Sequence, residues 1–213
     1  MILPDATLGV LGGGQLGRMF TVAARTMGYR VIVLDPDANS PAAELANEHI
    51  CAAFDDRAAL EKIGRSCAAI TTEFENVPAD SLNFLAQFCP VRPSAKAVAI
   101  AQNRIREKTF LRDSGFETAA FMAVNAIDEI APALKKVGPS ALLKISQFGY
   151  DGKRQASVNT LSEAVAAFEQ MGRKPCVLEQ RLKLKTEISG VVARNTTGET
   201  LAYPAAENTH VDG

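Results

Sequence analysis

The sequence is poor in several things that would have pointed to a function. It has no tryptophan, three tyrosines and two histidines in 213 residues. Two histidines, His49 and His210, cannot build a metal site by themselves. The four cysteines, Cys51, Cys67, Cys89 and Cys176, are far apart and form no CxxC pair. That spacing excludes a zinc ribbon or a disulfide framework and reads as buried thiols in a reducing cytoplasm. Charge of one sign is not in excess: the net charge is −1, so neither a nucleic acid nor a membrane surface is the expected partner. No apolar run is long enough to span a bilayer. Met1 leads into a strand without the basic start and apolar core of a signal peptide. No GxxxxGK[ST] occurs, which excludes a P-loop. Internal repeats and low-complexity linkers are also missing.

What is present is an ordinary globular balance, 47% apolar and 22% charged, in a chain long enough for one large or two small domains. Thr7 to Leu11 reads as a strand that opens into Gly12-Gly13-Gly14-Gln15-Leu16-Gly17-Arg18. Helical spacing follows from Gln15 to Met27, with Leu16, Met19, Phe20 and Ala23 on one face, and Gly28 as the stop. Arg30 to Leu34 is a second strand, Ala42 to Ala46 a short helix and His49 to Ala53 a third strand. Asp56 to Arg65 is a helix, Ala68 to Thr72 a fourth strand and Ala79 to Phe88 a helix. This alternation predicts a Rossmann-like parallel sheet with helices on both faces. Its expected extent is residues 1–93.

Residues 94–213 predict a second, α+β unit. Ser94 is placed to cap a helix from Ala95 to Gln102, and Arg104 to Ser114 is another helix. Ala119 to Val124 is a strand, Ile127 to Val137 a helix and Ala141 to Ile145 a strand. Gln155 to Val158 returns, Leu161 to Met171 is a helix and Pro175 to Glu179 a strand. Glu187 to Arg194 reads as one further strand, with Leu201 to Tyr203 as its hairpin partner.

Three stretches carry chemistry. Gly12-x-Gly14-x-x-Gly17 between a strand and a helix matches the dinucleotide fingerprint, and Asp35 ends the next strand, where a ribose-binding acid belongs. The physics is more general. Backbone N–H groups at a helix N-terminus bind any phosphate, so the loop predicts an anion without naming it. The fourth strand empties into Glu73-Phe74-Glu75-Asn76-Val77-Pro78, two carboxylates at a carboxyl-end loop where open α/β sheets bind ligands. In the second unit, Lys144 leaves a strand beside Gly149-Tyr150-Asp151-Gly152-Lys153-Arg154-Gln155. Two glycines and a lysine there suit polyphosphate, while a β-hairpin with a solvated, charged tip accounts for the same residues. Arg104, Glu179, Glu187 and His210 complete an acid–base mixture that exceeds the needs of a nicotinamide enzyme. Each taken singly also fits a solvated surface residue.

Taken in order, these residues resemble a known family. Gly12 to Met19, Glu73-Phe74-Glu75-Asn76-Val77-Pro78, Gln102-Asn103-Arg104, Gly149-Tyr150-Asp151-Gly152-Lys153, Val177-Leu178-Glu179 and Glu207-Asn208-x-His210 are similar to the N5-carboxyaminoimidazole ribonucleotide synthetases. These are ATP-grasp ligases of purine biosynthesis. The resemblance runs almost from end to end. It implies a pre-ATP-grasp domain followed by the first part of an ATP-grasp domain, with a lid subdomain at about residues 119–180. It also implies ATP with Mg2+, the substrates aminoimidazole ribonucleotide and bicarbonate, and a homodimer.

By that resemblance, Lys144, Lys153 and His210 are the catalytic residues. Arg104 and Lys144 contact ATP phosphates, with Gly149 to Gln155 (Gly149, Tyr150, Asp151, Gly152, Lys153, Arg154 and Gln155) closing over them. Glu179, Gln180, Arg181 and Leu182 form the adenine hinge, Glu187 holds the ribose and His210 faces the phosphates. Gly14, Gln15 and Leu16 bind the ribonucleotide, with Tyr150, Asp151 and Lys153 on its other side. Glu73 or Glu75 orients its amine. Under this reading Asp35 has no cofactor role. Two departures stand out. Arg154 occupies a position where the family has glycine. The sequence also ends before the family's acidic metal ligands and its distal phosphate-binding lysine and arginine, so this piece alone is expected to be inactive. The rival readings are an NAD-linked oxidoreductase, another ATP-grasp enzyme such as a formate-dependent transformylase or a biotin carboxylase, and a non-catalytic nucleotide-binding module.

Overall fold

The computed structural model describes residues 1–147 and 155–209. They form two compact units, residues 1–114 and 115–213. Helices from Ala95 to Ala101 and from Arg104 to Asp113 belong by contact to the first.

The first unit is built on four parallel strands: β1 (Thr7–Leu11), β2 (Arg30–Leu34), β3 (Glu48–Ile50) and β4 (Ala69–Thr72). Their order in the sheet is β3-β2-β1-β4. Central strands need apolar side chains on both faces, and β2 supplies Val31, Ile32, Val33 and Leu34, all buried. The alternation divides them. Val10, Val31 and Val33 pack with Ala24 of helix α1 (Gln15–Thr26). Leu11, Ile32 and Leu34 pack on the opposite face with Leu60 and Ile63 of α2 (Arg57–Ser66) and Leu82 and Leu85 of α3 (Ala79–Leu85). Asp56 caps α2, its carboxylate accepting from the Ala59 N–H at 3.0 Å. Beyond α3 come α4 (Ala95–Ala101), capped by Ser94, and α5 (Arg104–Asp113), capped by Asn103.

Helix α1 turns a different face inward than its large apolar residues suggest. Gly17, Thr21 and Ala24 are buried, while Leu16 and Met19 are each 60% exposed. Small residues let the helix start lie against the end of β1, and the buried Thr21 hydroxyl is satisfied by the Gly17 carbonyl at 2.8 Å. Residues 42–46, expected as a short helix, form turns.

The second unit has an antiparallel sheet in the order β5-β8-β6-β7. Its strands are β5 (Phe121–Val124), β6 (Ala141–Ile145), β7 (Gln155–Val158) and β8 (Cys176–Gln180). Ala141, Leu143, Ile145, Cys176 and Leu178 face a core completed by Ile130, Ala133 and Val137 of α6 (Ile130–Val137) and by Ala164 and Phe168 of α7 (Leu161–Gln170). A single 3-10 turn, Ile127–Glu129, precedes α6. Pro132 sits in the first turn of α6, where its missing N–H removes no helical hydrogen bond.

The expected strand from Glu187 to Arg194 is two strands, β9 (Glu187–Ser189) and β10 (Val192–Arg194). β10 pairs with β11 (Thr200–Ala202), as the hairpin reading expected, and β9 pairs with β12 (Ala206–Asn208), which local patterning did not reveal. Cys67, Cys89 and Cys176 are buried, but Cys51 is exposed, a correction to its reading as a buried thiol.

Candidate functional site

In the first sheet the chain runs β1, β2, β3 toward one edge and then returns to place β4 on the other side of β1. The reversal lies between β1 and β4, which are in register with Leu11 opposite Thr72. Open α/β sheets bind ligands at the carboxyl ends of the strands at such a switch point. Here the loops leaving the two strands are the glycine-rich loop and the Glu73–Glu75 loop. Residues read 56 positions apart are therefore neighbours.

Gly12 has φ of 103°, in the left-handed region that glycine tolerates, and turns the chain from β1 into α1. Helix α1 has no side-chain cap of its own and no acidic residue in its first turn. Its cap comes from the loop after β4: the Gly17 N–H donates to Oε2 of Glu73 at 2.5 Å. The next N–H taken from outside is that of Gly13, which donates to Oδ2 of Asp35 at 2.7 Å. Asp35 Oδ1 accepts from the Asp37 N–H at 2.8 Å, so both oxygens of the suspected ribose acid are turned to the protein's own backbone.

Glu75 is held differently. Gln102 Nε2 donates to the carbonyls of Glu75 and Val77, both at 2.6 Å, which fixes the loop's backbone while the Glu75 side chain is exposed. Asn103 accepts from the Ile105 and Arg106 N–H groups, both at 3.0 Å, and so starts α5 at Arg104. A cavity of about 380 Å³ lies over this region, lined by Thr72, Glu73, Phe74, Glu75 and by Pro93, Ala97, Val98 and Ala101. It joins two carboxylates to an apolar wall. Sequence reasoning missed Gln102 as a positioning residue. It missed Ser40 as well, whose buried hydroxyl has no hydrogen-bond partner among the described residues and abuts Gly13. The pairing of a polar side chain with a loop carbonyl about 25 residues away leaves no local trace in a sequence.

In the second unit, the register sets Leu142 opposite Glu179 and Lys144 opposite Val177. Lys144 and Glu179 are therefore diagonal neighbours on the sheet face turned away from α6 and α7, and Lys144 Nζ forms an ion pair with Glu179 Oε1. Glu179 is the more deeply buried, its side chain 6% exposed against 21% for Lys144. Gln155 lies opposite Lys144 on β7. The Gln180 and Arg181 N–H groups donate to the carbonyls of Ala120 and Ser140 at 2.8 and 3.0 Å. A cleft of about 470 Å³ beside them is lined by Ser140, Arg181, Leu182, Lys183 and Leu184. On β9, Glu187 Oε1 accepts from Asn208 Nδ2 at 2.9 Å.

Gly149, Tyr150, Asp151, Gly152, Lys153, Arg154 and His210 lie outside the described residues. Among the described residues no group of three or more His, Cys, Asp or Glu side chains is placed to hold a metal ion. No described helix is long and apolar enough to cross a membrane.

Residues 5–102 match the ribonucleotide synthetase preATP-grasp domain and residues 109–213 the ATP-grasp domain. An N5-carboxyaminoimidazole ribonucleotide synthase of Brucella melitensis is 42% identical over 212 residues, 99% of this chain and 59% of its own. The structure of the Staphylococcus aureus N5-carboxyaminoimidazole synthetase complexed with ADP superimposes with a TM-score of 0.94 at 35% identity, covering 99% of this chain and 56% of that one. The Aspergillus clavatus synthase in complex with ADP and 5-aminoimidazole ribonucleotide does so with a TM-score of 0.87 at 29% identity, covering 99% and 55%. The chain thus spans somewhat more than half the length of the relatives it matches. With both domains matched in order and the likeness unbroken along the chain, it belongs to the N5-carboxyaminoimidazole ribonucleotide synthetase family of ATP-grasp proteins.

Proposed function

We propose that the protein is a ligase that carboxylates 5-aminoimidazole ribonucleotide with bicarbonate at the expense of ATP. The observation that carries this reading is the end-to-end likeness to the Aspergillus clavatus synthase that holds both ADP and the aminoimidazole ribonucleotide. A bicarbonate oxygen attacks the γ-phosphorus and ADP leaves, giving carboxyphosphate. The anhydride releases CO2 and phosphate, and the exocyclic amine captures the CO2 and loses a proton. The products are N5-carboxyaminoimidazole ribonucleotide, ADP and phosphate. Bicarbonate is a poor electrophile, so the work of the site is to activate it and to keep water from the labile anhydride.

In this reading Arg104 and Lys144 neutralise phosphate oxygens, and Lys144 exchanges its contact with Glu179 for the triphosphate. The hinge Glu179 to Leu182 reads adenine. Because the Gln180 and Arg181 N–H groups are already donated within the sheet, that reading falls to carbonyl oxygens and to backbone from Leu182 onward. Glu187, with its carboxylate on an exposed strand, takes the ribose hydroxyls. Gln155 and the segment before it, Gly149 to Arg154, cover the phosphates, His210 faces them, and Lys153 joins Lys144 and His210 in the catalytic set. Gly14, Gln15 and Leu16 meet the ribonucleotide on one side, and Tyr150, Asp151 and Lys153 on the other. Of the two candidate acids, Glu73 orients the amine, because its carboxylate is fixed at the switch point whereas that of Glu75 is exposed. Mg2+ bound to ATP would add neutralisation of the β- and γ-phosphates. The described residues do not by themselves offer it a site. A cytoplasmic homodimer completes the proposal.

The test uses the intact protein with ATP, bicarbonate and the aminoimidazole ribonucleotide. Phosphate release that requires the ribonucleotide supports the ligase. Equal turnover with formate or biotin in place of the aminoimidazole substrate, or a nicotinamide absorbance change, would replace it with one of the rivals.

A further inference from the structure

The glycine spacing at the start of α1 is the spacing that cradles pyrophosphate in dinucleotide-binding proteins. Here something else fills the cradle. A Cβ built on Gly12 would fall 2.5 Å from Glu73 Cγ, one on Gly14 2.3 Å from Glu73 Oε1, and one on Gly17 2.4 Å from Glu73 Oε2. All three fingerprint glycines are thus in contact with one side chain. The Gly17 N–H, aimed out of the helix end, ends on Glu73 Oε2, and the Gly13 N–H ends on Asp35. Helix α1 carries no acid in its first turn, so Glu73 is the negative charge that its positive end meets.

We infer that the glycine-rich loop is a carboxylate clamp: it spends its anion-binding capacity on Glu73, so that it offers a ligand the remaining acceptor capacity of that carboxylate and takes an N–H or O–H donor in place of a phosphate. Glycine is needed at 12, 14 and 17 to admit Glu73, and the Gly17 N–H is the positioning group that fixes the carboxylate. A phosphate arriving at the same loop would face Glu73 and Asp35, two like charges within contact range of the N–H groups it needs. Glu73 also lines the cavity beside Phe74 and Ala97, which gives a donor-bearing ring a place to lie. The clamp itself stands on geometry alone. Only the identity of the donor, the exocyclic amine, rests on the function proposed above.

The experiment follows the backbone amide resonances of Gly13 to Gly17 in the intact protein during titration with inorganic phosphate. In the wild type these resonances are expected to stay in place. In Glu73→Ala, with the cradle emptied, the Gly17 amide is expected to shift saturably. A saturable shift in the wild type would overturn the inference. So would a Glu73→Ala protein that ignores phosphate, because the carboxylate would then be standing in no anion's place. If Glu73→Ala does not fold, Glu73→Gln keeps the side-chain volume and an acceptor but drops the charge. Its Gly17 amide proton should then move upfield of the wild-type position as a charge-assisted bond becomes a neutral one, and an unchanged position would sink the clamp. None of these readouts depends on turnover, so loss of the proposed ligase activity and loss of the clamp are told apart.

Discussion

Lys144 and Glu179 illustrate how far a single contact can be pushed. Their ion pair lies on the sheet face opposite α6 and α7, with Glu179 nearly sealed from water. Removing one partner takes away part of what compensates the other, and the cost rises with the burial of the survivor. Because Glu179 is the more buried partner, Lys144→Met should lower stability more than Glu179→Gln does. Equilibrium urea unfolding of the two variants checks the order. If Glu187 takes the ribose hydroxyls as proposed, Glu187→Ala should raise the KM for ATP by about tenfold, in line with the roughly 1.5–3 kcal/mol of a hydrogen bond to a charged group less what water restores. Steady-state kinetics of the intact protein reads this directly. At Gly17 a methyl group would meet both Glu73 Oε2 and the Gly12 carbonyl oxygen at 2.4 Å. Gly17→Ala should therefore cost about 1–3 kcal/mol, the range of overpacking, measured in the same unfolding assay.

At the scale of elements, capping and burial set the order of importance. Asp56→Ala removes the side-chain acceptor at the start of α2 and should cost about 1 kcal/mol, seen as a lower urea midpoint with an unchanged slope. The exposed β9, β10, β11 and β12 form two-stranded pairs without a buried residue. Such ribbons open easily. Their amides should exchange with deuterium fastest among the strands, and those of β2 and β8, buried along most of their length, slowest. The same contrast explains which elements could be read in advance. β1, β2, β6 and β7 have the ends that alternation and turn residues predicted, because each pattern is complete within its own strand. The break at Gly190-Val191 and the existence of β12 were not legible. Each depends on pairing across the chain, Glu187 with Asn208 and Arg194 with Thr200. The inward face of α1 was misread for a related reason: close approach to β1 favours Gly17 and Ala24 over Leu16 and Met19, and hydrophobicity alone does not report it.

For the molecule as a whole, the thiols predict its behaviour in base. Burial pushes Cys67 up to about 12, with Cys89 and Glu48 adding smaller upward contributions, and burial alone pushes Cys176 up to about 11. In the unfolded chain both would ionise near the ordinary thiol value of about 8.5. The folded state therefore holds these protons longer. Their contribution to stability is complete below that ordinary value and is lost as pH rises through about 11 and 12. A plot of unfolding free energy against pH should fall above about pH 9 by more than it does in a protein with Cys67→Ala and Cys176→Ala replaced together. At pH 8, a thiol reagent should label Cys51 quickly, since it alone of the four is exposed, and the others only after denaturant is added.

Local order along the chain was enough to specify the alternating first sheet, the second α+β unit, the strand β6 that carries Lys144 and the two loops that carry glycine and carboxylate. Each of these is a property of near neighbours, set by side-chain periodicity and backbone permission. What the loops hold was decided only in three dimensions. The order β3-β2-β1-β4 brings Glu73 to the start of α1, and the β6–β8 register brings Glu179 to Lys144. An unfilled helix end looks the same in sequence whether a ligand's phosphate or the protein's own carboxylate will satisfy it, because the N–H groups fix the charge they need and not the source of it.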